Sequence, residues 1–500
     1  MPNRYSFRPI ACALLLLGGV WNLSAQQQTQ LQFTLEEVIA KAQEQSAAAY
    51  MAKHNFLSSY WQYRSYKAQL LPSLNLSGTL GSYNRSLLDL QDPTTGEIRY
   101  IENNNMRNNL NLSINQNIPL TGGTLSVYSS LSRIDEFSPE RNILYNSQPL
   151  NITYLQPLRG YNSLKWEQKI SPEEYEQAKR VFLESMEDIT IQATQYYFDM
   201  LLAQSRLEMA EKNYENTKTM YAIAEERFNI GSVTKSDLLQ LELRLYNDGI
   251  AVNQNRIELQ RNMLSLRSFL GYNELVDISL VPLAEIPSLT LNYNEVLDYT
   301  YANSSFSVEQ DLQLLRAEQS VAQAKGNRGI DLTLRAQFGL TQQGGYLSSA
   351  YRNPIDQEII SLGVSLPIID WGQGRGRVKM AQSQEELIKI RVEQAHVQHR
   401  QNIMMSVLEF NNQKDQCALA AKADSIARER YEFSLDRFAN NAIGVLDLNT
   451  AQSEKDQAAV GYISELRTYW VSYYTIRKNS LYDYISRTDI SAEFDRITEE

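Results

Sequence analysis

The sequence has 500 residues, 43% of them hydrophobic, and a formal net charge of −11. That is enough for two or three ordinary domains, and it leaves no basic face for nucleic acid. After the first 25 residues no stretch approaches the roughly 20 apolar residues of a transmembrane helix, which excludes a helical inner-membrane protein, while 30 tyrosines and abundant Asn and Gln suit barrel walls and water-filled tunnels.

In chain order, Arg4 and Arg8 precede an apolar run from Ile10 to Val20 that ends near Ser24 and Ala25, the pattern of a signal peptide over residues 1–25. Cys12 falls before the end of that run, so Cys417 is the one cysteine of the exported chain and no intramolecular disulfide is available. Packing has to hold the fold.

Residues 26–285 and 286–486 then read as two unequal copies of one unit, with an acidic tail over 487–500 that reads as poorly ordered. In the first unit, helices over 34–69 lead to strands over about 71–158 and a long helical hairpin over 172–271. In the second, helices over 293–327 lead to strands over about 329–369 and a hairpin over 372–485. The strand regions alternate apolar and polar residues: Leu74-Asn75-Leu76-Ser77, Asn109 to Asn115, and Ser361 to Leu366. Taken singly, a lipid-facing wall and a soluble sandwich would both give this alternation.

Ser171, Pro172 and Glu174 supply a start signal for the first long helix, with Ser171 as N-cap and Glu174 placed for a capping box. From Ile189 a stripe runs through Ala193, Tyr196, Met200, Ala203, Leu207 and Ala210 to Phe228 in steps of four and three, a sustained heptad. At about 1.5 Å per residue, a helix from 172 to 228 is roughly 85 Å long. Gly231 can take the left-handed conformation that ends it. Thr234 and Asp237 form a second capping-box pattern, opening a helix with Leu238, Leu245, Val252, Leu259 and Leu266 seven apart. The pair makes an antiparallel hairpin with a tight tip.

Arg227-Phe228-Asn229 with Asp237-Leu238 recurs as Arg437-Phe438-Ala439 with Asp447-Leu448, at an offset of 210. Glu37-Val38-Ile39 matches Glu295-Val296-Leu297, and Leu74-Asn75-Leu76 matches Leu332-Thr333-Leu334, at an offset of 258. The chain is thus a tandem of two half-molecules rather than a short solenoid repeat. The first carries about 48 extra residues between its opening and closing strands. These include the 109–118 alternation and a Thr121-Gly122-Gly123 turn, which read as an added hairpin, giving four strands in the first copy and two in the second. A long surface loop is the alternative.

Other chemistry is poorly supplied. Trp371-Gly372-Gln373-Gly374-Arg375-Gly376 lacks the spacing of a dinucleotide fingerprint or a P-loop and reads as a flexible strand-to-helix hinge. Glu393, His396 and His399 are spaced to share a helix face, but among Gln and Arg they read as a solvated face rather than a metal site. No nucleophile or paired-acid constellation points to an enzyme, so no catalytic, cofactor-binding or metal residue is assigned. Four to six strands cannot close a barrel, and long amphipathic hairpins need neighbours, so both halves demand oligomerisation.

From about residue 30 to 485 the chain resembles the TolC-like outer-membrane efflux family. The matching stretches are Thr34 to Ile39, Leu71-Pro72-Ser73-Leu74, Pro367 to Gly374, and the two tips, Arg227 to Leu239 and Arg437 to Leu448. The resemblance implies a mixed α and β membrane protein: a homotrimeric transmembrane antiparallel β-barrel in the lipid of a Gram-negative outer membrane, continued into the periplasm by an antiparallel α-helical coiled-coil barrel. It implies a passive exit duct of a tripartite efflux pump or type I secretion system. The partners would be a periplasmic adaptor (membrane fusion) protein and an inner-membrane pump or ABC transporter. Asp447 and Asp237 match acidic positions near the family's periplasmic aperture, and Thr450 stands where a second ring aspartate can occur. Gly231, Val233, Gly444 and Leu446 lie in segments that match adaptor-docking tips. A structural or adhesive coiled-coil protein of the outer membrane is the alternative function.

Overall fold

The computed structural model describes residues 30–91, 94, 96–138, 140–272, 276–283, 286–440 and 442–499. The signal-peptide reading over 1–25 lies outside them. Strand β1 (Gln30–Phe33) is followed by helices α1 (Leu35–Gln45) and α2 (Ala47–Gln69). Thr34 opens α1 because its hydroxyl accepts from the Glu37 amide while the Glu37 carboxylate accepts from the Thr34 amide, satisfying two otherwise orphaned donors. Strands β2 (Ser73–Gln91), β3 (Ile98–Ile118), β4 (Gly123–Ser138) and β5 (Asn142–Arg159) come next, then the hairpin of α3 (Ser163–Asn229) and α4 (Lys235–Phe269). Strand β6 (Asp277–Leu280) pairs in parallel with β1. The second half runs α5 (Tyr293–Asn303), α6 (Ser305–Gly326), β7 (Asp331–Gly344), β8 (Ile355–Ser365), α7 (Gln373–Ala439) and α8 (Val445–Ser480). Two short strands, β9 (Tyr482–Asp483) and β10 (Thr488–Asp489), and helix α9 (Phe494–Glu499) finish the described chain.

The halves match in their helices and differ in their strands. Helices α3 and α7 are both 67 residues long, about 100 Å each, and α1 and α5 both have 11 residues. The first half supplies four strands to the main sheet and the second supplies two. The alternation over 109–118 lies in β3, and the turn after it leads into β4 with Gly122 at φ +74.

Four expectations are corrected. Helix α3 starts at Ser163, capped by the Asn162 side chain at 3.1 Å from the Lys165 amide, and Pro172 lies inside it. The early turns persist because Trp166 and Ile170 pack on Val308 and Leu312 of α6, and burial outweighs the local stop signal. Glu174 is ion-paired with Arg316 at 2.6 Å instead of closing a capping box. The tail is ordered where Phe494 packs at 5.2 Å from the Phe56 ring and 6.1 Å from Phe182. The glycine-rich turn after β8 is pinned, not flexible: the Asp370 carboxylate accepts from the Gly372 and Gly374 amides, both at 2.9 Å, and these bonds hold its carboxyl below the usual range. Finally, His396 and His399 do not form a solvated face. His399 stacks on Phe306 at 3.9 Å and His396 on Tyr301 at 5.7 Å, docking α7 against the α5–α6 junction.

The main sheet is antiparallel with order β2-β3-β4-β5-β7-β8. Leu74, Ile114, Val127, Ile152 and Phe338 are paired in one row across five strands, and four of them are at least 40% exposed. The adjacent row, Ser73, Asn115, Ser126, Thr153 and Gln337, is polar and points to the other face. There Ser126 donates to the Asn115 side chain at 2.7 Å and Gln337 donates to Tyr128 at 3.1 Å. Followed from Ser73, the polar row reaches Ile359, six residues short of the end of β8 at Ser365. A bulge between Thr79 and Ser82 bends β2, with Gly81 at φ +73 and its amide donating to Asn108 at 2.8 Å. No described helix is long and apolar enough to cross a membrane.

The helices form two tiers. Helix α3 packs on α2 and α6 in one tier and on α4 and α8 in the other, while α7 packs on α6 and α8. The tiers therefore run α2-α3-α6-α7 and α4-α3-α8-α7. At their junction lies an apolar core around Tyr197, Phe198, Phe410 and Tyr469. Arg477 makes two bonds to Glu187, at 2.7 and 2.8 Å, and one to Asp483 at 3.2 Å. Removing one partner of such a buried pair costs about 3–5 kcal/mol, whereas apolar replacement of both is often neutral. Thermal unfolding should therefore show Glu187→Ala losing stability of that order and Glu187→Leu with Arg477→Met losing far less.

Candidate functional site at the helical tips

The tips are built from the ends of α3 and α7 and the starts of α4 and α8. At the first tip the Gly231 amide donates to the Phe228 carbonyl and the Ser232 amide to the Arg227 carbonyl, both at 2.9 Å. Gly231 sits at φ +80, so its conformational freedom ends α3. Thr234 then caps α4, accepting from the Asp237 amide at 3.2 Å, and its hydroxyl donates to the Asp237 carboxylate at 2.7 Å. Asp237 is therefore engaged by its own cap, though not in the reciprocal form the pattern implied. At the second tip Gly444 lies at φ −83 with open space around its Cα. The fold does not require glycine there.

A core shared by both hairpins ties the tips together. Met220, Ala224, Leu238 and Leu241 pack with Tyr431, Val445, Leu448 and Ala451. Arg227 adds a bridge that sequence reasoning did not assign, donating to the Phe438 and Ala439 carbonyl oxygens. Its signal was the Arg-Phe pair that ends both long helices. Outside this core, Ile230 and Leu446 are 77% and 69% exposed, and Val233 is half-buried. Asp447 is exposed on the first turn of α8 and lines a groove of about 730 Å³ with Arg430, Phe433 and Arg437. Thr450 turns its hydroxyl back onto the Leu446 carbonyl at 2.9 Å. The structure thus gathers Asp447, Thr450 and Leu446 on one helix start and keeps Gly231, Val233 and Asp237 on the other tip. Among the described residues, no group of three or more His, Cys, Asp or Glu is placed to hold a metal. Gly231→Ala should cost about 1–2 kcal/mol through its left-handed backbone and open the first tip to limited proteolysis, while Gly444→Ala should leave cleavage at the second tip unchanged.

The sequence model of the outer membrane efflux protein family matches residues 122–272 and 306–465, more than half of the chain. No curated protein sequence matches. Among solved structures, the Campylobacter jejuni CmeC outer membrane channel is similar at 16% identity, with a TM-score of 0.66, covering 93% of this chain and 88% of that one. The Vibrio cholerae outer membrane protein VceC is similar at 14% identity, with a TM-score of 0.62, covering 89% of this chain and 95% of that one. The outer-membrane channel OprN gives 14% identity and a TM-score of 0.63 over 89% of each chain. At these identities the structures speak for the fold. The match of the family model shows that the chain belongs to the outer membrane efflux proteins.

Proposed function

We propose that three copies of the chain close into one ring, a barrel of 18 strands continued by a helical tube, and that the ring is the exit duct of a tripartite efflux pump or type I secretion system. The observation that carries this reading is the match of free edges in both layers. Strands β2 and β8 bound the sheet, and α4 and α7 bound the α4-α3-α8-α7 tier. Helix α4 exposes Leu239, Leu243, Tyr246, Ile250, Ile257 and Leu264, and α7 exposes Leu387, Ile390, Met404, Leu408, Leu419, Ile426 and Phe433. Because β8 runs directly into α7, one head-to-tail contact serves both layers: β8 and α7 of one copy against β2 and α4 of the next. A heterologous contact of this kind closes when its rotation does.

The register supports a barrel. Six residues of stagger at about 3.3 Å, against five strand spacings of about 4.8 Å, slope the strands by about 40°, within the range for outer-membrane barrels. The apolar row would face lipid and the Asn- and Ser-rich row a water-filled lumen. Equal long helices at a constant offset support an origin by tandem duplication. The exposed apolar side chains at the tips, with Gly231, Val233, Gly444 and Leu446, suit docking of a periplasmic adaptor, which would link the duct to an inner-membrane pump or ABC transporter. Conduction through such a lumen is passive and needs no catalytic group.

Deleting the gene should raise susceptibility to several dyes and drugs or abolish export of a secreted protein; no change in either would remove this reading. Ile250→Asp with Ile257→Asp should yield monomers in detergent by light scattering. In planar bilayers, Asp447→Asn should lower the cation preference read from the reversal potential, since three copies of one carboxylate around an axis favour cations.

A further inference from the structure

At one end of the main sheet both halves of the chain pass from helix to strand and back. The connections there are apolar and open to solvent: Leu71, Leu120, Ile368 and Ile369 are at least 64% exposed, and Trp371 is 95% exposed. In the proposed ring they carry the lipid band down to the last residues of the strands, and Trp371 takes the place of an interfacial aromatic. The helix ends just beyond them stand at the height of the headgroups of the periplasmic leaflet.

Those helix ends are basic, in a chain whose net charge is −11. Residues 62–72, 160–170, 319–330 and 366–380 contain nine Lys and Arg but two carboxylates, Glu167 and Asp370. Asp370 is already engaged by the Gly372 and Gly374 amides. The placement follows the repeat. Lys67 and Lys325 lie in the last turns of α2 and α6 at the offset of 258, while Lys165 and Lys169 open α3 where Arg375 and Lys379 open α7 at the offset of 210. Helix α2 packs on α3, and α6 on α7, so each half brings the same three cations to the sheet end of one helix pair. All six are exposed, and among the described residues none is in an ion pair.

In the last turns of α2 and α6 a cation complements the helix dipole. At the starts of α3 and α7 it does the reverse. Two cations four residues apart share a face, repel each other and oppose the positive end of the dipole, and neither helix has an acidic residue in its first turn. Local stability thus argues against these four residues, and an external anion accounts for them in both halves. Lys67 and Lys169 also lie over the rings of Tyr63 and Trp166, at 4.8 and 4.9 Å, which holds their ammonium groups beside aromatics of the interfacial type.

We propose that these clusters, two in each copy and six around the ring, bind the headgroups of anionic phospholipids in the periplasmic leaflet. This rests on the exit-duct reading. The sign of the charge selects an acidic headgroup over a zwitterionic one, and continuity with the apolar rim selects a lipid over a soluble anion.

The test reconstitutes the full chain in mixed bilayers of phosphatidylglycerol and phosphatidylcholine, with one lipid or the other brominated so that it quenches nearby tryptophan. Trp166 and Trp371 stand beside the clusters, and the two quenching curves give the relative affinity of the protein for the two lipids. At low salt the wild type should prefer phosphatidylglycerol about tenfold, and the variant with Lys165→Gln, Lys169→Gln, Arg375→Gln and Lys379→Gln should fall to within about twofold of no preference. The wild-type preference should fade in about 1 M salt. In phosphatidylcholine the variant should unfold at a temperature no lower than the wild type, since the repulsion at its helix starts is gone. An equal preference in both proteins, or none in the wild type, overturns the proposal. So does a variant that loses its oligomer in light scattering, which would assign the cations to a protein contact, and so does competition by inorganic phosphate at matched ionic strength, which would assign them to a soluble anion. A wild-type chain that fails to float with liposomes would instead remove the duct reading.

Discussion

An unpaired strand edge cannot face hydrocarbon, and this constraint governs the rest of the molecule. In lipid each unsatisfied backbone group costs several kcal/mol, and β2 alone presents a free edge 19 residues long. The helical tier repeats the problem in another form, with apolar stripes on α4 and α7 that no other described residues cover. A single copy has no arrangement that solves both. In the proposed ring further copies solve both at once, because the two free boundaries meet on one seam.

Within the protomer the stabilising interactions are divided by height. The junction of the two helical tiers holds an aromatic core and the buried Arg477 network, tying the two hairpins together between the tiers. Toward the tips the packing alternates between polar layer and small apolar core. The packing is thus apolar and ion-paired at the junction of the tiers and interrupted by side-chain hydrogen bonds toward the tips.

Much of this architecture was legible in the sequence, because period and offset are local properties. The heptad from Ile189 predicts the stripe that α3 buries at Ala193, Met200 and Ala203, and the alternation over 109–118 predicts a strand in β3. What escaped depended on distant partners. The start of α3 is set by contacts to α6, more than 130 residues later. Asp370 caps a glycine turn that composition alone presents as loose. Asn213 and Asp456 are ordinary surface types until the fold brings them together across 243 positions. The tip site was half legible: the repeated Arg-Phe motif located it, but only backbone angles separate Gly231, which the turn requires, from Gly444, which it does not.

The bulge at Gly81 has a consequence outside the cell. A strand crosses the bilayer in about 9–11 residues, while β2 and β3 have 19 and 21. In the proposed ring the hairpin beyond the bulge therefore rises clear of the lipid, three times around the mouth. That crown, bearing Tyr83, Leu87 and Tyr100 as exposed side chains, is what an antibody or a bacteriophage would meet first.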